Sequence, residues 1–238
     1  MNALAASQDR EPRHPPVPTR LAHAPVSNGM VVPFITLAHR DRTHTVWGAL
    51  DPVRHLDIFT HRLCQICGES LAVNGEPFGD RVVLYLRPSD HLRGIAVEPG
   101  VHPECGLYAR RACPMLDGRS NRYNPIPARQ RLTRCEDPAC TCSLWPTTPS
   151  VTNAPEREGS PAEAWYEAWL DLSDYVVIPV ISADNDIRTL GVDIRNATLL
   201  KVRKIRAAAP SDDGDQPMDL LAALVAAREL FGNASDPA

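Results

Sequence analysis

The chain has 238 residues, with 25 Lys and Arg against 29 Asp and Glu for a formal net charge of −4, 43% hydrophobic but only 5% aromatic residues, and 23 prolines. That length holds one large or two small domains, and so much proline with so few aromatics predicts a loop-rich chain whose modest core needs a metal or disulfide staple. The first residues are charged and Pro-rich where a secretory leader would be apolar. The longest apolar runs, 31–38 and 175–183, fall far short of the roughly 20 residues that span a bilayer. The expectation is therefore a soluble, cytoplasmic protein with no membrane partner, whose seven cysteines are better read as metal ligands than as disulfides.

In chain order, residues 1–28 show no period and read as a disordered arm. Residues 31–37 form a strand-like run broken at Pro33. Asp51-Pro52 is a helix N-cap followed by proline at the first helical position. Val53, Leu56, Phe59 and Leu63 then lay one apolar stripe along a short helix that leads to Cys64. Beyond Cys67-Gly68, Leu71 and Val73, the Asn74-Gly75 turn signal and the run 82–86 spell a hairpin, with 94–97 a weaker third strand. His102-Pro103 opens a helix that reaches about Cys113 and stops at Pro114.

Residues 117–142 are rich in Gly, Asn, Pro and Arg, and 146–161 read as a Pro-rich linker. Residues 162–172 fit either a helix with Trp165 and Trp169 at i and i+4 or a strand paired with 175–180. Residues 198–205 give a weak strand signal. Residues 219–231 are amphipathic, with Leu220, Leu221, Leu224, Ala227 and Phe231 on one side and Gly232 as C-cap. The organisation expected is an arm at 1–28, a zinc-binding domain at 29–145, a linker at 146–161 and a small α/β segment at 162–238 ending in that helix.

The chemistry concentrates at Cys64-Gln65-Ile66-Cys67-Gly68 and His102-Pro103-Glu104-Cys105. Two intervening residues let both thiolates of a CxxC reach one ion, and a glycine after it permits the tight turn. With Pro103 at the first helical position, His102 and Cys105 share the opening turn, where the helix dipole favours a thiolate. Four sulfur and nitrogen ligands match the tetrahedral shell of structural zinc. The alternatives are a redox CxxC and a helix-cap histidine, with His61 as a substitute ligand. Knuckle, hairpin and helix in this order resemble a treble clef, so the fold class expected is α+β: a small zinc-stabilised, treble-clef-like domain plus the C-terminal segment. Cys113, eight residues along the same helix from Cys105, lies about 12 Å away and cannot join that ion. With Cys135, Cys140 and Cys142 it has the ligand count for a second zinc; buried free thiols or partial oxidation are the other reading.

Between 106 and 134 stand seven arginines, Arg110, Arg111, Arg119, Arg122, Arg129, Arg131 and Arg134, against one acid, Asp117, with Tyr108 and Tyr123 interleaved. Arginines with stacking aromatics suit phosphates and unpaired bases; a solvated or internally paired face is the alternative. The partner expected is thus nucleic acid or another protein. An enzyme is not expected, because no acid, base and nucleophile set is assembled and a closed four-ligand shell leaves no place for a catalytic water. The alternative is a metal-dependent nuclease of the His-Asn-His class, for which only His91 and Asn74 remain as candidates.

The strings running from His61 to Gly68 and from Val101 to Cys105, followed by Tyr108-Ala109 and Ala112-Cys113-Pro114, resemble a group of uncharacterised proteins of actinobacteria and their bacteriophages. The resemblance covers about 33–116, with 165–172 as a further segment. It implies an actinobacterial or phage origin, and a bacterial or phage-infected cytoplasm, but no activity.

Overall fold

The computed structural model describes residues 15–73, 75, 78–145, 157–181, 187–210 and 222. A short hairpin comes first, β1 (Val26–Ser27) and β2 (Met30–Val31), turned by Asn28 and Gly29, both at positive φ. That is the two-residue turn whose twist suits a hairpin. β3 (Thr36–Ala38) pairs antiparallel with β4 (Thr45–Leu50). α1 (Pro52–His61) starts as its cap predicts: Asp51 Oδ1 accepts hydrogen bonds from the backbone N–H of Val53 at 3.0 Å and of Arg54 at 3.2 Å.

β5 (Arg81–Leu86), α2 (Pro88–Arg93), β6 (Ile95–Ala96) and α3 (Pro103–Ala112) follow. The C-terminal strands are β7 (Trp165–Asp171), β8 (Val177–Ile181), β9 (Ile187–Asp193) and β10 (Lys201–Arg206). They make two three-stranded antiparallel sheets, ordered β10-β7-β5 and β6-β9-β8. The free edge of β5 receives Val101, bridged to Val83 just before α3 begins.

Three expectations change. First, the arm is shorter than 1–28. Residues 15–28 pack onto the body: Leu21 is buried in the main core and Val32 N–H bonds Pro25 O at 2.7 Å. Residues 1–14 lie outside the described residues. Second, 71–73 are not a strand, and the β5 edges are taken by β7 and Val101 rather than by a hairpin through Asn74-Gly75. Third, the division at 146–161 does not separate two cores. β7 lies between β5 and β10, and β9 pairs with β6, so both halves of the chain build the same sheets and one hydrophobic cluster.

Residues 165–171 resolve as strand, not helix, because both strand edges and both faces are covered there; Trp165, Tyr166, Ala168 and Leu170 are all buried. A helix would bury only one stripe. The pairing with 175–180 does not form; β8 pairs with β9 instead. The helix expected at 219–231 lies outside the described residues, apart from Ala222. No described helix is long and apolar enough to cross a membrane.

The joint between the halves holds a buried ion pair. Arg87 and Asp90 side chains are both 0% exposed. Asp90 Oδ2 accepts from Arg87 Nε at 2.8 Å and from its backbone N–H at 3.0 Å, and Oδ1 accepts from Arg93 at 2.7 Å. The Arg87 guanidinium also lies 5.0 Å from the centre of the Trp165 ring, on β7. A charge with no water around it is tolerated only when paired this completely.

Candidate metal centre

α1 ends with Arg62 in the left-handed region, φ 51°, its backbone N–H bonded to Ile58 O. This reversal turns the chain into Leu63, which bridges Ser70, and between those two residues lies the CxxC turn. Cys64 N–H bonds Glu69 O at 2.7 Å, and Gly68 N–H bonds Cys64 O at 2.8 Å. Gly68 has φ +79°, and a Cβ there would stand 2.6 Å from the Phe34 ring. Glycine is therefore required for both conformation and space. The turn is strapped on two sides, by Phe34 and Ile35 N–H to Ile66 and Gln65 carbonyls, and by Gln65 N–H to Gly100 O at 3.1 Å.

α3 begins as read: His102 is its N-cap residue, in extended conformation, and Pro103 follows at the first helical position. His102 and Cys105 thus come to the two thiols of the turn. The ligand atoms of Cys64, Cys67, His102 and Cys105 lie within 4.8 Å of one another. His102 Nδ1 stands 3.4 Å from Cys67 Sγ and 3.9 Å from Cys105 Sγ. Atoms bound at about 2.0–2.3 Å around one tetrahedral ion would be about 3.5–3.8 Å apart. The opposite ring nitrogen, Nε2, is 2.8 Å from Ser70 O. It donates its proton there, which leaves the Nδ1 lone pair facing the thiols.

Cys64 and Cys105 are 0% exposed and His102 is 2% exposed. Burial alone would push the Cys64 thiol up, but hydrogen bonds from Cys105, Cys67 and nearby backbone hold it well below the ordinary thiol range. Thiols brought together in this way, with one favoured as thiolate, suit a cation. His61 is outside the group; its Nδ1 is 3.2 Å from Asp57 O, within its own helix.

One partner of the site has no signal in the sequence. Arg20 bridges Glu69 in the turn to Glu104 in the first turn of α3, so the residues read as an arm clamp both ligand-bearing elements together. The Arg20 hydrogen bond lowers the Glu104 carboxyl even against the upward push of burial.

Cys113 does not join the other cysteines. It follows α3, packs against the main core and lines a cavity of about 910 Å³ beside Tyr108, Met115 and Trp165, where burial pushes its thiol up. Cys135 and Cys142 instead gather with His39, their ligand atoms also within 4.8 Å of one another. His39 stands 96 residues before Cys135 and in no motif, so the sequence carries no signal for it.

The arginine stretch is dispersed rather than continuous. Arg110 pairs with buried Glu167 on β7. Arg119 binds Asp117 and Ala112 O, Arg122 bonds Gly159 O at 3.1 Å, and Arg131 bonds Trp47 O at 2.6 Å. Arg111 and Arg134 are exposed; the Arg129 side chain is outside what is described. A second basic strip lies on the edge strand β10, where Lys201, Arg203 and Lys204 are exposed. Lys201 sits 5.6 Å over the Trp169 ring and Arg203 bonds Glu167 at 2.8 Å. α3 and β10 thereby flank a groove of about 250 Å³ lined by Leu107, Arg110, Glu167, Trp169, Lys201 and Arg203. His91 lies in the last turn of α2, and Asn74 is outside the described residues, so nothing described joins that pair.

Comparison with family models, curated proteins and solved structures gives no match to this chain.

Proposed function

We propose that this chain is a non-catalytic interaction module scaffolded by zinc, with a treble-clef-like centre and a nucleic acid as the favoured partner. The observation that carries the reading is the closed group of Cys64, Cys67, His102 and Cys105: three thiols and one imidazole, buried and mutually within 4.8 Å. Three sulfurs and a nitrogen form a set that zinc prefers, and four protein ligands fill its tetrahedron, leaving no position for a substrate or an activated water. The metal then acts on the fold: it joins the turn after α1 to the start of α3, which the Arg20 bridge already draws together. Binding energy for such an ion is folding energy. The turn carrying Cys64 and Cys67, the Val83–Val101 bridge and a helix whose start carries His102 and Cys105 support the treble-clef-like reading, with that bridge in the place of the expected hairpin.

Function then belongs to the surface. The α3–β10 groove combines Arg110, Lys201 and Arg203 with the Trp169 ring and the exposed Leu107 around two carboxylates, buried Glu167 and the half-buried Glu104 that pairs with Arg20. Cations tracking a phosphate chain beside an aromatic on which a base can stack are the means by which single strands are held. The motif resemblance supports a bacterial or phage setting for such a module. The test is fluorescence anisotropy with single-stranded DNA and RNA across a salt series. We expect binding that weakens steeply with salt, and at least tenfold weaker binding for Lys201→Glu combined with Arg111→Glu, two exposed side chains whose loss leaves Glu167 paired. Salt-independent or absent binding would transfer the proposal to a protein partner.

A further inference from the structure

We propose that His39, Cys135, Cys140 and Cys142 form a second tetrahedral zinc site, which clasps the segment 132–145 onto the turn that follows β3. This goes beyond the function proposed above and does not depend on it.

The strongest observation is the wiring of His39. Its Nε2 is 2.8 Å from Thr133 O, so that nitrogen donates its proton to a carbonyl. Nδ1 is left with the lone pair, buried, and without a hydrogen-bond partner among the described residues; the residue is 4% exposed. A buried acceptor with no donor is costly. A ring nitrogen of His39 nevertheless lies with the thiols of Cys135 and Cys142, all three ligand atoms within 4.8 Å of one another, and with Nε2 on the carbonyl it is Nδ1 that has the lone pair to offer. His102 is arranged in the same way, with Nε2 at 2.8 Å from a carbonyl and Nδ1 turned to thiols. A metal-bound imidazole is held by this pairing of one nitrogen to the ion and the other to a carbonyl.

The thiols have the matching geometry. Cys135 Sγ and Cys142 Sγ are 3.6 Å apart, close to the roughly 3.8 Å expected of two sulfurs on one zinc and far beyond the roughly 2.05 Å of a disulfide. Cys140, buried in the same cluster, is the thiol we assign as the fourth ligand; the three ligand atoms already within 4.8 Å of one another are those of His39, Cys135 and Cys142. A backbone N–H already points at sulfur, as around bound thiolates: Cys135 N–H lies 3.4 Å from Cys142 Sγ.

The protein shapes the loop for this purpose. Asp137 Oδ1 accepts from Ala139 N–H at 2.9 Å, and Cys140 N–H bonds Asp137 O at 3.0 Å, so the chain turns between Cys135 and Cys140. Asp137 also pairs with Arg40, next to His39, at 2.8 Å. Trp145 stacks 5.3 Å from the His39 ring and closes the site from the other side. Leu37, Val46 and Ala49 supply the only other buried apolar groups of that cluster. Six buried residues, two of them the proposed ligands Cys140 and Cys142, are too few to hold an irregular segment by apolar burial alone.

The test is zinc per chain by elemental analysis on the full-length protein. We expect two equivalents in the wild type, one in His39→Ala and in Cys142→Ser, and two in Cys113→Ser. A wild-type zinc content that His39→Ala and Cys142→Ser leave unchanged overturns the proposal, as does a loss on Cys113→Ser without a loss on His39→Ala. Should a variant fail to fold, cobalt substitution of the wild type decides instead. Charge-transfer absorbance for six thiolate bonds supports the second site, and absorbance for three removes it. Alkylation after denaturation without reductant should count all seven cysteines; five, with Cys135 and Cys142 the two left unlabelled in the peptide map, would mean a disulfide between them and would also overturn it.

Discussion

The two cysteine–histidine groups use the same chemistry in different settings. Around Cys64, Cys67, His102 and Cys105 the ligands come from a strapped turn and a helix start, in contact with the main core that includes Leu71, Val83, Tyr85 and Val101. Around His39, Cys135 and Cys142 they come from a hairpin turn and an irregular loop, over a satellite cluster of a few apolar residues. Ligand type alone would rank the two as equals. Their surroundings predict otherwise: loss of the first should cost the whole fold, and loss of the second should free one segment.

The largest expected effect is on the first group. Cys105→Ser should abolish the cooperative thermal transition, because a structural zinc contributes on the order of 10 kcal/mol, comparable to the whole stability of a domain. A folded variant with an ordinary melting curve would contradict the comparison. Next is the buried pair that joins the halves of the same core. Asp90→Asn removes the carboxylate charge that faces Arg87 at 0% exposure, and should cost about 3–5 kcal/mol in urea unfolding. If the loss is under about 1 kcal/mol, that core is not the continuous unit described.

A smaller effect tests α1, which delivers Cys64. Burial lowers His55 to about 4, below the ordinary 6.5. The folded state therefore keeps this ring neutral while the unfolded chain protonates it first. Stability from this source is complete above pH 6.5 and falls as pH drops toward 4, by about 2 kcal/mol between pH 7 and 5. The difference between wild type and His55→Gln across those pH values separates it from zinc release, and parallel slopes would refute it. The smallest global effect belongs to the second group. Cys142→Ser should change the melting of the main core by about 1 kcal/mol or less, while trypsin cleavage at exposed Arg134 should speed up at least tenfold. Equal loss of core stability in Cys142→Ser and Cys105→Ser would erase the distinction between the two groups.

The first group was legible because its ligands sit in local devices with their own spacing. CxxC-Gly carries its turn, and His-Pro-x-Cys carries its helix start, so only one long-range contact had to be inferred. The Asp51 cap and the extent of α1 and α3 were legible for the same reason. Asn28-Gly29 was an equally local hairpin signal, hidden inside a stretch whose composition suggests an arm. His39 was not legible. A lone histidine carries no spacing, and its partners come from a loop nearly a hundred residues on. Cys113 was misassigned because a cysteine count cannot tell which thiols face one another. The arginine run was similarly ambiguous: linear density says nothing of pairing, and Glu167, which engages Arg110 and Arg203 from opposite sides, is far from both in the chain.

What the sequence determined by itself, then, was one cysteine–histidine group that could hold a metal and the helices and turns that present it, because these depend on neighbours within a few residues. The tertiary structure alone decided that 165–171 is a strand, that the chain has no divide at 146–161, and which histidine meets the last cysteines. The first two depend on which strand edges remain free beside β5 and β6, and the third on which segment packs over the β3–β4 turn. That is a property of long-range pairing and burial, and no local window contains it.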